Sequence, residues 1–228
     1  MTAHYRAFFD QSAAKDGIAD VPASPYLRLY RDFGKRALDL ALVILSLPLW
    51  LPMVALLAAC VALDGHAPFY RQKRVGRSGR LFTMWKLRTM VPDADLLLSR
   101  HLGANPEAAQ EWSHKQKLAR DPRITGIGRF LRCTSLDEFP QLFNVLRGDM
   151  SLVGPRPMLP EQQRLYSGRA YFQLRPGVTG FWQVSDRNAS SFADRAAHDT
   201  LYYGSLSLPT DIGVLLVTVR AVIKGTGC

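Results

Sequence analysis

The chain is poor in cysteine and shows no metal-binding pattern of histidines. Its three cysteines, Cys60, Cys133 and Cys228, are too few and too scattered among 228 residues for a disulfide scaffold or a zinc cluster. The five histidines lack the spacing of a metal site or a catalytic triad. These absences exclude a disulfide-rich secreted protein and indicate a reducing, cytosolic environment.

Long apolar runs, repeats and low-complexity tracts are also scarce. The mean hydropathy of -0.05 is too low for a polytopic membrane protein. The apolar share of 47% and the charged share of 21% nevertheless exclude a wholly disordered chain. Residues 1–25 show no sustained periodicity and no cleaved-signal pattern, so we expect a flexible tail there.

Acidic residues are in the minority. Against 29 Lys and Arg there are 19 Asp and Glu, which gives a net charge of +10. The preferred partners are therefore anionic: nucleic acid, phosphates or an acidic membrane surface. Residues 65–92 carry seven basic and no acidic side chains among aromatic ones. That stretch would suit anionic lipid headgroups, and a solvated basic loop is the alternative.

One run, Leu40–Leu63, has 24 residues without a charge and would extend roughly 36 Å as a helix. Pro48 and Pro52 lie near its middle and predict a break. Basic residues flank both ends, which favours keeping both ends in the cytoplasm. We therefore predict a re-entrant hairpin that enters one leaflet and returns. A kinked spanning helix and a buried soluble helix are the alternatives.

The remaining patterns predict an α/β protein that is mainly helical. Alternating runs at Pro68–Gln72 and Leu81–Trp85 predict a small β-hairpin. Helices are predicted at Asp93–Leu102, Pro106–Leu118, Leu136–Leu146 and Ile212–Ile223, the last lying on a membrane or core. The predicted organisation is a tail over 1–25, a membrane hairpin over 26–64 and a compact cytoplasmic domain with interfacial amphipathic helices over 65–228.

Asp137 and Glu138 are adjacent carboxylates at the start of a predicted helix. One interpretation is structural, because Ser135 and Glu138 match a capping box. Pro140 argues against it, since proline would then fall at the fifth helical position. If the helix starts later, both acids lie at its open end, where phosphate is attracted and where carboxylates can hold Mg²⁺.

Arginines that could complete such a site are spread along the second half of the chain. Arg156 and Arg175 are next to prolines, which restrict the backbone and so direct the side chain. Arginine forks bind phosphate oxygens in pairs. Surface or structural ion pairs are the alternative for each one. The candidates are Arg132, Arg156, Arg175 and Arg187.

Seven ordered motifs over about 190 residues resemble the bacterial sugar transferases, specifically the small monotopic phosphoglycosyl transferases. They are Lys35–Asp39, Arg71–Gly76, Lys86–Met90, Asp121–Thr125, Ser135–Gln141, Asn144–Pro157 and Arg175–Gly180.

The resemblance implies transfer of a sugar 1-phosphate from a UDP-sugar to undecaprenyl phosphate, with release of UMP. By motif position, Asp137 would be the nucleophile that forms an aspartyl phosphosugar, and Glu138 would join it at Mg²⁺. Arg132 and Arg156 match phosphate-binding positions, and Arg175 matches a position linked to the nucleotide. Further residues expected to shape the nucleotide or sugar pocket are Gln183, Asp186, Arg187 and Asn188.

The resemblance also implies a place in the cell and a set of partners. Pro52 matches the proline that breaks the family's re-entrant helix, whereas Pro48 is additional. We expect a monotopic protein on the cytoplasmic face of the bacterial inner membrane that starts exopolysaccharide or another glycan. The expected partners are anionic lipid and downstream glycosyltransferases rather than nucleic acid, and a homodimer is a hypothesis. The sugar is expected to be a hexose such as galactose or glucose.

Two other functions remain open from the residues. A magnesium-dependent nucleotide-sugar pyrophosphatase would use the same acids with water as acceptor. A non-catalytic membrane adaptor would use only the basic stretch and the apolar hairpin. The adaptor interpretation gives no function to Asp137, Glu138 or the Pro-Arg-Pro turn.

Overall fold

The computed structural model describes residues 29–115, 118–185, 192 and 194–223. The chain divides into two compact units. Of the described residues, the first unit holds 29–45, 73–84 and 142–220, and the second holds 46–72, 85–141 and 221–223. The predicted tail, residues 1–25, lies outside the described residues.

A single helix, α1, dominates the N-terminal part of the described chain. It follows a π-helical turn at Tyr30–Gly34 and extends over Lys35–Ala62. Pro48 and Pro52 lie inside it without ending it, so the predicted helix–break–helix is not confirmed. The surrounding leucines and alanines are strong helix formers, and their propensity favours the helix on both sides of each missing N–H donor.

The two faces of α1 differ in exposure although both are apolar. One stripe is buried in the protein, and it consists of Val43, Trp50, Val54, Ala58 and Val61. The opposite face is exposed and carries Ile44, Leu45, Leu49 and Leu56, of which Leu45 and Leu49 are each 78% exposed. By length and composition this helix could cross a membrane. A large exposed apolar face is costly in water and is typical of a membrane contact.

Strands β1, Phe69–Val75, and β2, Leu81–Leu87, pair with each other, which confirms the predicted strand pair. In the second unit, helices α2, Ala94–Ala104, and α3, Pro106–Lys115, match two predicted helices.

Helix α4, Gly126–Thr134, begins where the Thr125 hydroxyl accepts a hydrogen bond from the Gly128 N–H at 2.9 Å. The residues buried together in the core of the second unit are Ala58, Val61, Leu87 and Leu131.

The chain continues through short elements in the first unit. These are α5 (Gln141–Arg147, whose first residue belongs to the second unit), β3 (Ser151–Val153), α6 (Ala170–Gln173), β4 (Gly177–Thr179), α7 (Phe181–Val184), α8 (Asp194–Ser205) and α9 (Leu208–Ile223, whose last three residues belong to the second unit). Their core is apolar and aromatic, with Val153, Leu174, Phe181, Tyr202, Leu206 and Val214 buried together. Helix α9 confirms the predicted C-terminal helix and exposes one apolar stripe, formed by Leu208, Ile212, Leu216, Val219 and Val222.

Strands β3 and β4 pair in parallel, with Ser151 opposite Gly177 and Val153 opposite Thr179. The backbone that follows β3 approaches β4 so closely that a side chain does not fit. A Cβ atom on Gly177 would lie 2.1 Å from the Gly154 nitrogen, and one on Gly154 would lie 2.3 Å from the Arg175 carbonyl oxygen. These glycines therefore fix the segment that leads into the Pro-Arg-Pro turn.

A buried polar cluster connects the start of α1 to α8 and α9 within the first unit. The Lys35 ammonium lies 3.0 Å from the Asp211 carboxylate, which is fully buried. The same carboxylate accepts hydrogen bonds from the Tyr30 hydroxyl at 2.5 Å and the Tyr202 hydroxyl at 2.6 Å. Because the Asp211 carboxylate is paired with Lys35 and hydrogen-bonded by two tyrosines, the cost of its desolvation is largely offset.

Candidate active site

The carboxylate pair lies on a short turn in the second unit. Helix α4 ends at Thr134, and Ser135 takes the left-handed conformation with φ of 57°. A 3₁₀ turn over Leu136–Glu138 follows and presents both acids. The Ser135 side chain makes no capping hydrogen bond, so the capping-box interpretation is wrong. The helix expected over Leu136–Leu146 begins only at Gln141, directly after Pro140.

Lys86, on β2, is the cation nearest to these acids among the ion pairs of the described residues. Its ammonium lies 2.5 Å from a Glu138 carboxylate oxygen and 3.7 Å from an Asp137 carboxylate oxygen. Asp137 is buried, at 8% exposure. The turn and the strand thus bring one ammonium and two carboxylates together.

The charge state of Asp137 is set by opposing influences. Burial raises the pKa of the Asp137 carboxyl above its usual value, and the neighbouring Glu138 charge adds to the rise. Lys86 and Arg132 act in the opposite direction, because their positive charges favour the ionised form. Asp137 is therefore a partly desolvated carboxylate whose ionisation depends on nearby cations.

Arg132 lies on the last turn of α4 and is held by a specific contact. Its Nε donates a hydrogen bond to the Thr89 hydroxyl at 2.9 Å. A Cβ atom on Gly128 would lie only 2.1 Å from the Thr89 carbonyl oxygen. The absence of a side chain at Gly128 therefore lets α4 approach the Thr89 backbone closely. Arg132, predicted from the sequence, thus belongs to the same unit as the carboxylate pair and influences Asp137 electrostatically.

Arg156 lies in the first unit and faces a cavity lined by aromatic and charged side chains. Its guanidinium carbon is 5.4 Å from the centre of the Trp182 ring, a cation–π distance. The cavity lining comprises Arg156, Met158, Tyr166, Tyr171, Trp182, Phe192, Arg195 and Asp199.

Arg175 lies in a different cavity of the first unit, beside Arg31 and Arg77. Its Nε donates a hydrogen bond to the Gly148 carbonyl at 3.0 Å, so part of the guanidinium braces the end of α5. Burial lowers the pKa of Arg175, and the nearby Arg36 and Arg77 charges lower it further. Arg156 and Arg175, predicted as members of one site, therefore line separate cavities.

Of the predicted pocket residues, the structure describes only Gln183. It lies on α7, and both polar atoms of its amide are buried without a hydrogen-bond partner in the described part of the chain. Such an amide is costly unless a ligand or water satisfies it. Asp186, Arg187 and Asn188 lie outside the described residues.

Lys86 was not singled out by the sequence as a site residue. It precedes Asp137 by about 50 residues, and only the folded structure shows that β2 brings Lys86 close to the turn that carries Asp137 and Glu138. Its place in the Lys86–Met90 motif was the available signal.

Within the described ranges, no group of three or more His, Cys, Asp and Glu side chains could hold a metal. Two adjacent carboxylates nevertheless fit Mg²⁺, which commonly takes one or two protein carboxylates and completes its shell with water and substrate phosphate.

Comparisons with known proteins agree with the resemblance. The family model for bacterial sugar transferases matches residues 30–225, so the chain belongs to the bacterial sugar transferase family.

The chain is 46% identical over 197 residues to the UDP-galactose-lipid carrier transferase of Erwinia amylovora, covering 86% of this chain and 41% of that protein. It is 42% identical over 197 residues to the exopolysaccharide production protein ExoY of Rhizobium meliloti, covering 85% and 87%. It is 37% identical over 213 residues to the UDP-glucose:undecaprenyl-phosphate glucose-1-phosphate transferase of Caulobacter vibrioides, covering 89% and 74%. The chain thus spans less than half the length of the Erwinia relative and most of the length of the other two.

Proposed function

We propose that this protein transfers a sugar 1-phosphate from a UDP-sugar to undecaprenyl phosphate and releases UMP, as the initiating step of exopolysaccharide or related glycan synthesis. The observation that carries the proposal is the buried Asp137 carboxylate beside Glu138 and Lys86. The names of the relatives support UDP-galactose or UDP-glucose as donor and an undecaprenyl carrier as acceptor.

In the proposed first step, an Asp137 carboxylate oxygen attacks the phosphorus that bears the sugar. An acyl phosphate bond forms, the bond between the two phosphoryl groups breaks, and UMP leaves with the bridging oxygen and its electron pair. Lys86 and Arg132 favour the ionised form of Asp137 and offset negative charge near the carboxylates.

In the second step, a phosphate oxygen of undecaprenyl phosphate attacks the same phosphorus. The acyl phosphate bond breaks, the Asp137 carboxylate is regenerated, and the product is an undecaprenyl diphosphate-linked sugar. Two successive displacements avoid binding both substrates in line at once and lead us to expect ping-pong kinetics.

Asp137 and Glu138 would hold Mg²⁺ in this proposal. When bound, the ion would neutralise phosphate charge. The Lys86 ammonium lies against Glu138 and supplies positive charge at the same carboxylates from the chain itself.

The other predicted residues receive roles by chemistry. We assign Arg156 to a substrate phosphate, since its guanidinium lies at a cavity. We assign Arg175 and Gln183 to the nucleotide or sugar, with the buried Gln183 amide supplying both a donor and an acceptor. Arg187 and Asn188 remain proposals from the resemblance alone.

The exposed apolar face of α1 supports insertion into the inner membrane. We propose a monotopic arrangement in which α1 enters one leaflet and bends sharply at Pro48 and Pro52 in the membrane, so that both ends stay at the cytoplasmic face. The exposed stripe of α9 would then lie at the interface. This would place an enzyme at the depth of the lipid phosphate.

The test measures UMP release by purified protein in detergent with Mg²⁺ and a panel of UDP-sugars, with and without undecaprenyl phosphate. Without lipid we expect at most one UMP per enzyme molecule, from the first half-reaction. Release over many turnovers should require the lipid, favour one or two sugars, and fall at least about a thousandfold in Asp137→Asn. Asp32→Asn, an exposed acid in the first unit, is the matched control.

Other outcomes would overturn parts of the proposal. Release of many UMP molecules per enzyme without lipid would indicate the pyrophosphatase. Lipid-dependent release that survives Asp137→Asn would reject Asp137 as nucleophile. Binding to anionic vesicles without turnover of any UDP-sugar would favour the adaptor.

A further inference from the structure

We propose that Arg195 and Arg156 together form a phosphate-binding site on the Trp182 ring, in the cavity of the first unit. This inference rests on the proposed function for the choice of phosphate-bearing ligands. It assigns to Arg195 a binding role in addition to that of the Pro-Arg-Pro turn.

The two guanidiniums share one aromatic ring. The Arg195 guanidinium carbon lies 4.3 Å from the centre of the Trp182 ring, and that of Arg156 lies 5.4 Å from it. The Phe192 ring lies 4.9 Å from Arg195 as well. Aromatic rings on which a guanidinium stacks fix its plane, and a fixed plane suits bidentate contacts to phosphate oxygens.

Within the described residues neither arginine forms an ion pair with a carboxylate, although the Asp199 charge acts on Arg195. The Arg195 Nε is buried without a hydrogen-bond partner there. A buried guanidinium N–H without a partner is costly, because its desolvation is not compensated. An anion that accepts hydrogen bonds from both arginines would remove this cost.

Asp199, the acidic residue that lines this cavity, is hydrogen-bonded to a tyrosine. Asp199 is 6% exposed and accepts a hydrogen bond from the Tyr166 hydroxyl at 2.8 Å. Burial and the Arg156 charge, opposed by the Asp199 charge, lower the pKa of Arg195 to about 10, so Arg195 is still protonated at neutral pH. The cavity therefore offers two like charges that a phosphate group would neutralise.

The experiment measures equilibrium binding of three probes to the full chain in detergent: inorganic phosphate, UDP and a short-chain polyprenyl phosphate. The variants are Arg195→Gln, Arg195→Lys and Arg164→Gln. Arg164 is exposed and lies outside the cavity, so its variant controls for the loss of one charge. The thermal midpoint of each variant reports folding.

We expect Arg195→Gln to weaken binding of at least one probe by roughly ten- to a hundredfold, as for the loss of charge-assisted hydrogen bonds. Arg195→Lys should lose less, because it keeps the charge without the fork. Arg164→Gln should match the wild type. A loss confined to UDP would identify the nucleotide phosphates as the ligand, and a loss confined to the lipid probe would identify the carrier phosphate.

Unchanged affinities in a folded Arg195→Gln variant would overturn the inference, as would an equal loss in Arg164→Gln. If Arg195→Gln does not fold, Arg195→Lys decides, and unchanged affinity there also overturns it. The proposed function is judged separately by UMP release from the wild type. Binding that depends on Arg195 in a protein without turnover would keep this site and reject the transferase.

Discussion

As the proposed nucleophile, Asp137 can react only while it carries its charge. Burial disfavours that charge, and Lys86 and Arg132 counter the effect of burial in part. The cost of holding a carboxylate in a buried position is thus offset by cations that would also attract a phosphate. The Lys86 ammonium is at the same time 2.5 Å from Glu138, so its loss would affect both acids.

Removing the Lys86 charge should move the acidic limb of the pH–rate profile. In Lys86→Gln the Asp137 pKa rises further, so the ionised form appears only at higher pH. We expect UMP release near pH 6 to fall by about a hundredfold and to recover partly as the pH rises. Lys86→Arg should keep the wild-type profile shape. A profile that keeps its acidic limb in Lys86→Gln would contradict this role.

Asp199 should make stability depend on pH. Burial raises its pKa to about 7, well above the value of about 3.9 typical of an unfolded chain. The folded state therefore retains a proton that the unfolded state releases, and the wild type should lose stability as the pH rises from about 4 to about 7.

Thermal melts of Asp199→Asn against pH test this expectation. The melting temperature of the variant relative to the wild type should rise between about pH 4 and 7 and then level off. The amide still accepts a hydrogen bond from Tyr166. Asp32→Asn, at the surface, serves as the control. Parallel curves for Asp199→Asn and the wild type would show that Asp199 does not titrate in this way.

At the residue scale, the sequence predicted those site residues that are neighbours along the chain. Asp137 and Glu138 are neighbours, and Pro140 predicted the late start of the helix that follows. The roles of Lys86 and Arg195 follow from side chains that only the folded chain brings near them. Patterns of residues along the sequence do not show such contacts. The proline beside Arg175 was enough to predict it as a candidate site residue. Its hydrogen bond to the Gly148 carbonyl could not be predicted from the sequence.

At the scale of elements, periodicity predicted the longer helices and the strand pair because their apolar positions repeat. Strands β3 and β4 have three residues each, too few for a period to be visible. The break at Pro48 and Pro52 was predicted from local sterics. The helix continues there, since proline costs one hydrogen bond and a clash, and the neighbouring residues favour the helix.

The contact of β4 with the segment after β3 should tolerate no side chain. In Gly177→Ala the new Cβ would meet the Gly154 nitrogen at 2.1 Å, so the backbone must move. We expect a loss of about 3 kcal/mol or more, measured as a lower thermal midpoint.

Gly103→Ala is the matched control for this substitution. It lies on α2, where a Cβ meets no atom within 4 Å, and should raise stability by about 0.5–1 kcal/mol. Equal midpoints for the two variants would contradict the packing argument.

At the scale of the whole molecule, the same apolar helix fits two topologies. A re-entrant α1 keeps both its ends in the cytoplasm, whereas a spanning helix places one end outside. The basic residues on both flanks favour the first arrangement, since positive charge is retained on the cytoplasmic side.

Labelling of introduced cysteines distinguishes these topologies. Asp32→Cys and His66→Cys, both at exposed positions, are made separately with the three native cysteines replaced by serine. We expect a membrane-impermeant maleimide to label neither position in intact cells and both after lysis. Labelling of one position in intact cells would establish a spanning helix and reject the re-entrant proposal.

The indole of Trp182 lines the cavity within cation–π distance of two guanidiniums, which makes it a natural optical reporter. Its emission responds to the electric field of nearby charges, so an anion that reaches Arg156 and Arg195 would alter the fluorescence of the unlabelled protein. The other three tryptophans lie outside this cavity and would supply a steady background. Inhibitor libraries could therefore be screened on the native chain, without a radioactive sugar or a lipid substrate.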